Sequence, residues 1–329
     1  MSASLRSFTS FLLQSRFRVI GIAFIISFFP FIGPTLGIIL AGLVTLRQDT
    51  LEGFWVFIAA TLPCFIQLPF LPRPDGLWVI GIIAASNFLT WGLAVILKRS
   101  NNWSLVLELT TLIGLIVVIS AHVLKPDLEV WWEKQLITHI SQILPGVETS
   151  VTPTSGKIEK NNIDQKITEE SLEPEVISFV NATKFFITGA LTASFLLNVL
   201  LQLFVSRWWQ MHLMDSKPLS EELYQIRLSS MAGLVFLATL ILSYLKITLA
   251  QDLLPVLYLT FCLAGLSLVH HTANKFKGLT WLCLIVFYIV LIGTWMAYKM
   301  PLVFQLIALT ALLDIWFDWR GRLNKRFSH

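Results

Sequence analysis

Long apolar stretches broken by short polar turns run the length of this chain. A helix needs about 20 apolar residues to cross the hydrocarbon core of a bilayer. Stretches of that kind predict helices over Val19 to Leu46, Gly53 to Phe70, Leu77 to Leu97, Trp103 to Leu124, Phe185 to Val205, Leu228 to Leu245, Leu254 to Ala273, Trp281 to Tyr298 and Pro301 onward. The first stretch is too long for one straight span and contains Pro30, Gly33, Pro34 and Gly37. Proline removes a backbone donor and clashes with the preceding turn, so Pro30 to Pro34 should break the helix into a tight hairpin. A single kinked span is the alternative. It would put Arg6, Arg16 and Arg18 outside, against the positive-inside rule. The expected architecture is all-α: a polytopic transmembrane bundle of about ten helical segments with a Pro-broken first hairpin.

The polar breaks differ in kind. Residues 125–175 hold ten of the twenty acidic residues, five lysines and no arginine. Within them, Trp132, Leu136, Ile140 and Ile143 fall on one helical face, the pattern of a helix lying in the outer interface. Pro145 to Glu175 is poor in large apolar residues and should form a disordered loop. Ser206 to Arg227 reads as a cytoplasmic loop with a helix from Ser220, an N-cap, to Arg227.

Composition strengthens the membrane reading. The chain is 55% hydrophobic and 13% charged, with a mean hydropathy of +0.73, whereas soluble domains carry about 25% charged residues. The net charge of +4 is spread over short loops, a topology signal and not a nucleic-acid footprint. The ending Asp314-Ile315-Trp316-Phe317-Asp318-Trp319-Arg320, followed by Arg322, Lys325 and Arg326, reads as an exit into the cytoplasm. Counting back from it puts fifteen of the 24 basic residues and both termini inside. That implies a multi-pass membrane protein with the lipid bilayer as its first partner. The expected divisions are a basic lead (1–18), an N-terminal membrane half (19–124), an extracytoplasmic polar loop (125–176), a C-terminal membrane half (177–319) and a basic tail (320–329). No cleavable signal peptide and no internal repeat is expected.

Ionisable groups inside membrane segments are functional candidates because burying them is costly. Glu108, His270, Asp314, Arg207 and Arg320, with Arg47, His271 and Asp318 nearby, could form a polar layer at the inner mouth. It would act as a gate or docking surface, or simply as helix ends joined by salt bridges. Asp318 and Arg322 have the spacing of a surface pair; Asp314 lies deeper and needs a partner more. A polar stripe, Thr188, Thr192, Asn198 and Gln202, faces one way on its helix. With Ser86, Asn87 and Thr90 on one neighbour and Ser267, His271 and Asn274 on another, it could line a cavity for a neutral or zwitterionic ligand. The alternative is interhelical hydrogen bonding, worth about 0.6 kcal/mol per contact. Cys64, Cys262 and Cys283 read as small buried hydrophobes. The tryptophans, Trp103 among them, read as interface belts, with Trp91 the mid-helix exception. No metal site, cofactor motif or enzyme motif is present, and ATP hydrolysis by the chain is not expected.

Several stretches carry a resemblance: Val44-Thr45-Leu46-Arg47 with Glu52-Gly53; Thr188-Gly189-Ala190 leading to Arg207-Trp208-Trp209-Gln210; Glu221-Glu222-Leu223 through Ile226-Arg227-Leu228; Gly265 to His270; and Leu313 to Arg320. Together they resemble the YybS-like family of polytopic bacterial membrane proteins, whose function is not established. Two segments depart from the pattern. Pro145 to Glu175 has no counterpart, and Lys217-Pro218-Leu219-Ser220 stands where relatives have a Pro-Gly-Gly-Phe turn. The family is distantly similar to the substrate-binding membrane subunits of energy-coupling-factor vitamin transporters. The resemblance implies a protein of the bacterial cytoplasmic (inner) membrane, and its bearing on function is fold-level analogy. The polar stripes and the broken first hairpin point to a small-molecule permease or substrate-capture component, because non-helical backbone at membrane depth is tolerated only against protein or a cavity. The alternative is a non-transporting scaffold whose Arg207 to Arg227 loop and tail dock a cytoplasmic protein.

Overall fold

The computed structural model describes residues 11, 14–29, 32–67, 76–143, 174–213, 219–275, 280–298 and 302–326. Among the described residues every regular element is a helix. In chain order they are α1 (Arg16–Ser27), α2 (Gly33–Arg47), α3 (Thr50–Ile66), α4 (Gly76–Ser100), α5 (Trp103–Leu124), α6 (Leu128–Ile143) and α7 (Pro174–Thr183). There follow α8 (Ile187–Leu213), α9 (Leu219–Leu223), α10 (Ser230–Tyr244), α11 (Thr248–Lys275), α12 (Thr280–Tyr298), α13 (Leu302–Phe317) and α14 (Trp319–Arg326).

Four of these, α4, α5, α8 and α11, are 25, 22, 27 and 28 residues long and apolar enough to cross a membrane. At about 1.5 Å per residue each exceeds the roughly 30 Å of hydrocarbon. Their outer surfaces agree: Val123, Leu124 and Leu201 are more than half exposed, which lipid tolerates and water does not. The apolar helices Gly33–Arg47, Thr50–Ile66, Ser230–Tyr244, Thr280–Ile289 and Phe304–Phe317 are shorter. Four spans, not ten, therefore meet the length criterion among the described residues.

Local signals explain most boundaries. α1 stops at Ser27 and α2 starts at Gly33 with Pro34 in its first turn, so the chain breaks at the expected proline group, of which Pro30 and Phe31 lie outside the described residues. Asp49 caps α3 by accepting the Thr50 N–H at 2.7 Å, and Asn102 caps α5 by accepting that of Ser104 at 2.9 Å. Such caps contribute about 1 kcal/mol each. The helix expected around Trp132 to Ile143 forms as α6, but Pro174 and Glu175 open a helix, α7, instead of closing a loop. The expected disordered segment otherwise falls outside the described residues. α8 runs on to Leu213, so Arg207-Trp208-Trp209 is helical and not part of a loop. α9 is a single turn, and Ser220 sits inside it, not at its cap.

Two helices act as hubs. α2 packs against α1, α3, α4 and α8, and every residue from Gly37 to Leu46 is buried. α11 packs against α5, α8, α10 and α13. α8 joins the two halves: its Ser206 hydroxyl donates to Ile39 O at 3.0 Å, and Gln210 donates to Leu46 O at 2.9 Å. At the α11–α13 crossing a Cβ on Gly265 would fall 2.3 Å from the Ile307 carbonyl oxygen, so only glycine permits that approach.

Candidate functional site

The arginines near the ends of α8, α9 and α13 gather at one end of the bundle, here termed the basic end. Arg207 points its guanidinium at Glu222 of α9, with Nε to Oε2 at 3.1 Å and Nη2 to Oε1 at 2.5 Å. It also donates to Gln210 Oε1 and to Asn101 Oδ1, each at 2.7 Å. Glu222 Oε2 further accepts the Trp103 indole N–H at 3.1 Å. One carboxylate thus gathers α8, α9 and the start of α5. Trp103 is only 6% exposed; its belt placement is corrected to a core position, because its N–H finds a protein partner.

The tail closes the same end. α13 ends at Phe317, and Asp318 takes a left-handed φ of 47° before α14 begins. That turn lets Arg320 fold back onto Asp314, Nε to Oδ2 at 3.0 Å. Arg320 also donates to the carbonyls of Tyr224 and Ala264. Burial lowers the pKa of this guanidinium from its ordinary range, and the Asp314 carboxylate beside it raises it. Asp318 pairs with Arg227 at 2.8 Å, not with Arg322 as its spacing suggested. Arg227 donates in addition to the carbonyls of Asp314 and Ile315 at the end of α13.

The five residues expected to form one polar layer divide into separate arrangements. Asp314 and Arg320 pair with each other, and Arg207 belongs to Glu222. Glu108 accepts the Ser229 N–H at 2.5 Å, at the start of α10. His270 Nδ1 lies 2.9 Å from Leu266 O, which can only accept, so Nδ1 carries the proton. Its Nε2 then accepts from the Tyr288 hydroxyl at 3.3 Å.

The polar stripe on α8 is engaged in hydrogen bonds. Gln202 Nε2 donates to Asn198 Oδ1 at 2.6 Å, and its Oε1 accepts from Thr90 of α4 at 2.7 Å. Asn87 donates to Thr61 of α3 at 3.1 Å. Thr188 accepts the Trp132 indole N–H at 2.8 Å, while Thr192 is buried one turn on. His271 lies at the other end, its ring 6.2 Å from that of Tyr224.

Among the described residues, two adjoining open volumes lie at the basic end. A chamber of about 510 Å³ is enclosed by Leu197, Leu200, Leu201 and Phe204 of α8, Leu263 and Leu266 of α11, Leu107 of α5 and the α9 turn. Its polar groups are few: Ser220, Ser267, Tyr224, and the His270–Tyr288 pair. Leu201 and Leu197, 54% and 37% exposed, leave it open sideways toward lipid. Next to it is a polar basin of about 740 Å³ lined by Asn101, Asn102, Ser104, Glu221, Glu222, Gln225 and Arg227. Trp103 and Ile226 border both spaces. Of the basin's charges, Glu222 is matched by Arg207 and Arg227 by Asp318, and the carboxamides of Asn101, Asn102 and Gln225 add neutral hydrogen-bonding groups. The sequence singled out Ser267 and His270, in two different groups, but not the spaces themselves, which rest on α9 folding back between α5 and α8. Among the described residues no group of three metal-ligating side chains gathers. No family model, no curated protein and no solved structure matches the chain.

Proposed function

We propose that this chain is a membrane-embedded permease or substrate-capture component for a small molecule with an apolar body and an uncharged polar head. The observation that carries the reading is the adjoining pair of spaces, about 510 Å³ apolar and about 740 Å³ polar, divided by Trp103. Ligand pockets typically measure about 300–1,000 Å³ and combine apolar walls with a few placed polar groups. The body would enter sideways past Leu201, and the head would meet Asn101, Asn102 and Gln225. In this reading the basic end faces the cytoplasm of a bacterial inner membrane, as positive residues favour. The shorter apolar helices pack at membrane depth beside the long ones and complete a ten-segment bundle. The kinship to the YybS-like family belongs to the same proposal and points the same way.

The scaffold alternative draws less support. Arg207 and Arg227, its natural contacts for a partner protein, are taken up by Glu222 and Asp318. The test is to purify the protein from its native membrane, denature it, and identify what is released. A reproducible small molecule, absent from a Leu201→Trp preparation that narrows the chamber mouth, is the expected result. Release of the same molecule from both preparations would refute the chamber as its site.

A further inference from the structure

At the end of the bundle opposite the arginines, Asp252 is buried in α11 with 3% of its surface exposed. Its carboxylate accepts the Gly189 N–H of α8 at 2.6 Å. α8 and α11 cross so closely here that a Cβ on Gly189 would fall 1.7 Å from the Asp252 carbonyl oxygen. From α5, His122 brings Nδ1 to 3.8 Å from Oδ2 and to 3.1 Å from Val118 O. The Val118 carbonyl can only accept, so Nδ1 carries a proton and Nε2 is the nitrogen left to take another. Glu129 of α6 is the other charged group felt by Asp252. A carboxylate in a membrane bundle is costly unless neutralised or paired. Asp252 and His122 as a unit are electrically neutral when they share one added proton, whichever of the two holds it.

We propose that Asp252 and His122 form a proton-binding site that is linked to the docking of α6. The link is a chain of hydrogen bonds. The Trp132 indole of α6 donates to Thr188 Oγ1 at 2.8 Å, and the N–H of the next residue, Gly189, donates to Asp252 Oδ1 at 2.6 Å. A proton taken from the adjoining aqueous phase onto Asp252 turns an acceptor into a donor. A neutral carboxyl is a weaker acceptor than a carboxylate, so the Gly189 bond loosens beside the residue on which Trp132 docks. Such a site can couple concentrative uptake to a proton gradient. That last clause rests on the transport reading above; the proton site does not.

The test is infrared difference spectroscopy of the purified protein in liposomes, taken from pH 4 to pH 9. The wild-type acid-minus-base spectrum minus that of Asp252→Asn is expected to contain a protonated-carboxyl band. Thr188→Val leaves both titrating groups in place and guards against misfolding of the first variant; it should shift that band in frequency. His122→Gln should move the pH at which the band appears. A flat double difference, or a band indifferent to Thr188→Val and His122→Gln, would overturn the site. None of these outcomes depends on whether a small molecule occupies the chamber.

Discussion

Arg207 of α8 and Glu222 of α9 meet at two points, 3.1 Å and 2.5 Å. The pair is largely buried, with side chains 11% and 18% exposed. A fork-shaped guanidinium on a carboxylate fixes both direction and distance. It holds α9 against Trp103, which forms the border between chamber and basin. Glu222→Gln should destabilise the detergent-solubilised protein by about 2 kcal/mol, as expected for a lost charged hydrogen bond. Arg207→Lys should not preserve the contact, because an ammonium cannot reproduce the fork. Thermal melts of both variants check this.

Asp314 and Arg320 are more deeply buried, with side chains 4% and 10% exposed. Removing one partner strands the other. Asp314→Ala should cost about 3–5 kcal/mol, while the double change Asp314→Leu with Arg320→Met should recover much of it. A denaturation series on Asp314→Leu, Arg320→Met and their combination measures the coupling.

Gly265 allows α13 to lie against α11. Alanine there would put a Cβ 2.3 Å from backbone, at the Ile307 carbonyl, and backbone cannot swing aside. Gly265→Ala should lower stability by about 1–3 kcal/mol through forced separation of the helices. Hydrogen exchange confined to α11 and α13 would locate the loss.

Thr90, Gln202 and Asn198 bond to one another. If the stripe is structural, Gln202→Leu should cost about 1 kcal/mol of stability and leave retention of any bound small molecule unchanged. Loss of that molecule in a variant that melts normally would instead locate the ligand on the stripe.

Hydropathy alone was enough to read an all-helical membrane chain, since apolar length and exposed apolar faces reflect the same solvent. The proline group between Ser27 and Gly33 was equally legible, because its effect is local. Span count was not. Helices such as α2 and α10, with 15 residues each, are apolar along their length, and a polar turn cannot reveal that a helix stops short. The partners of Arg207 and Asp318 were hidden for a different reason. Glu222 and Arg227 reach them through tertiary folding of the α9 turn, whereas the helical spacing of Asp318 and Arg322 pointed along the chain. A left-handed residue at 318 redirected that segment. Asp252 and His122, each singly placed among apolar neighbours, gave no spacing to read.

The central claim is that the chamber beside Trp103 holds a small molecule. Native mass spectrometry tests it most directly, on protein taken from its own membrane in mild detergent, with wild type and Leu201→Trp side by side. The account predicts a reproducible small-molecule adduct on the wild type, lost from the variant while the variant melts normally. A bare wild-type chain, or an adduct retained by the variant, would contradict it.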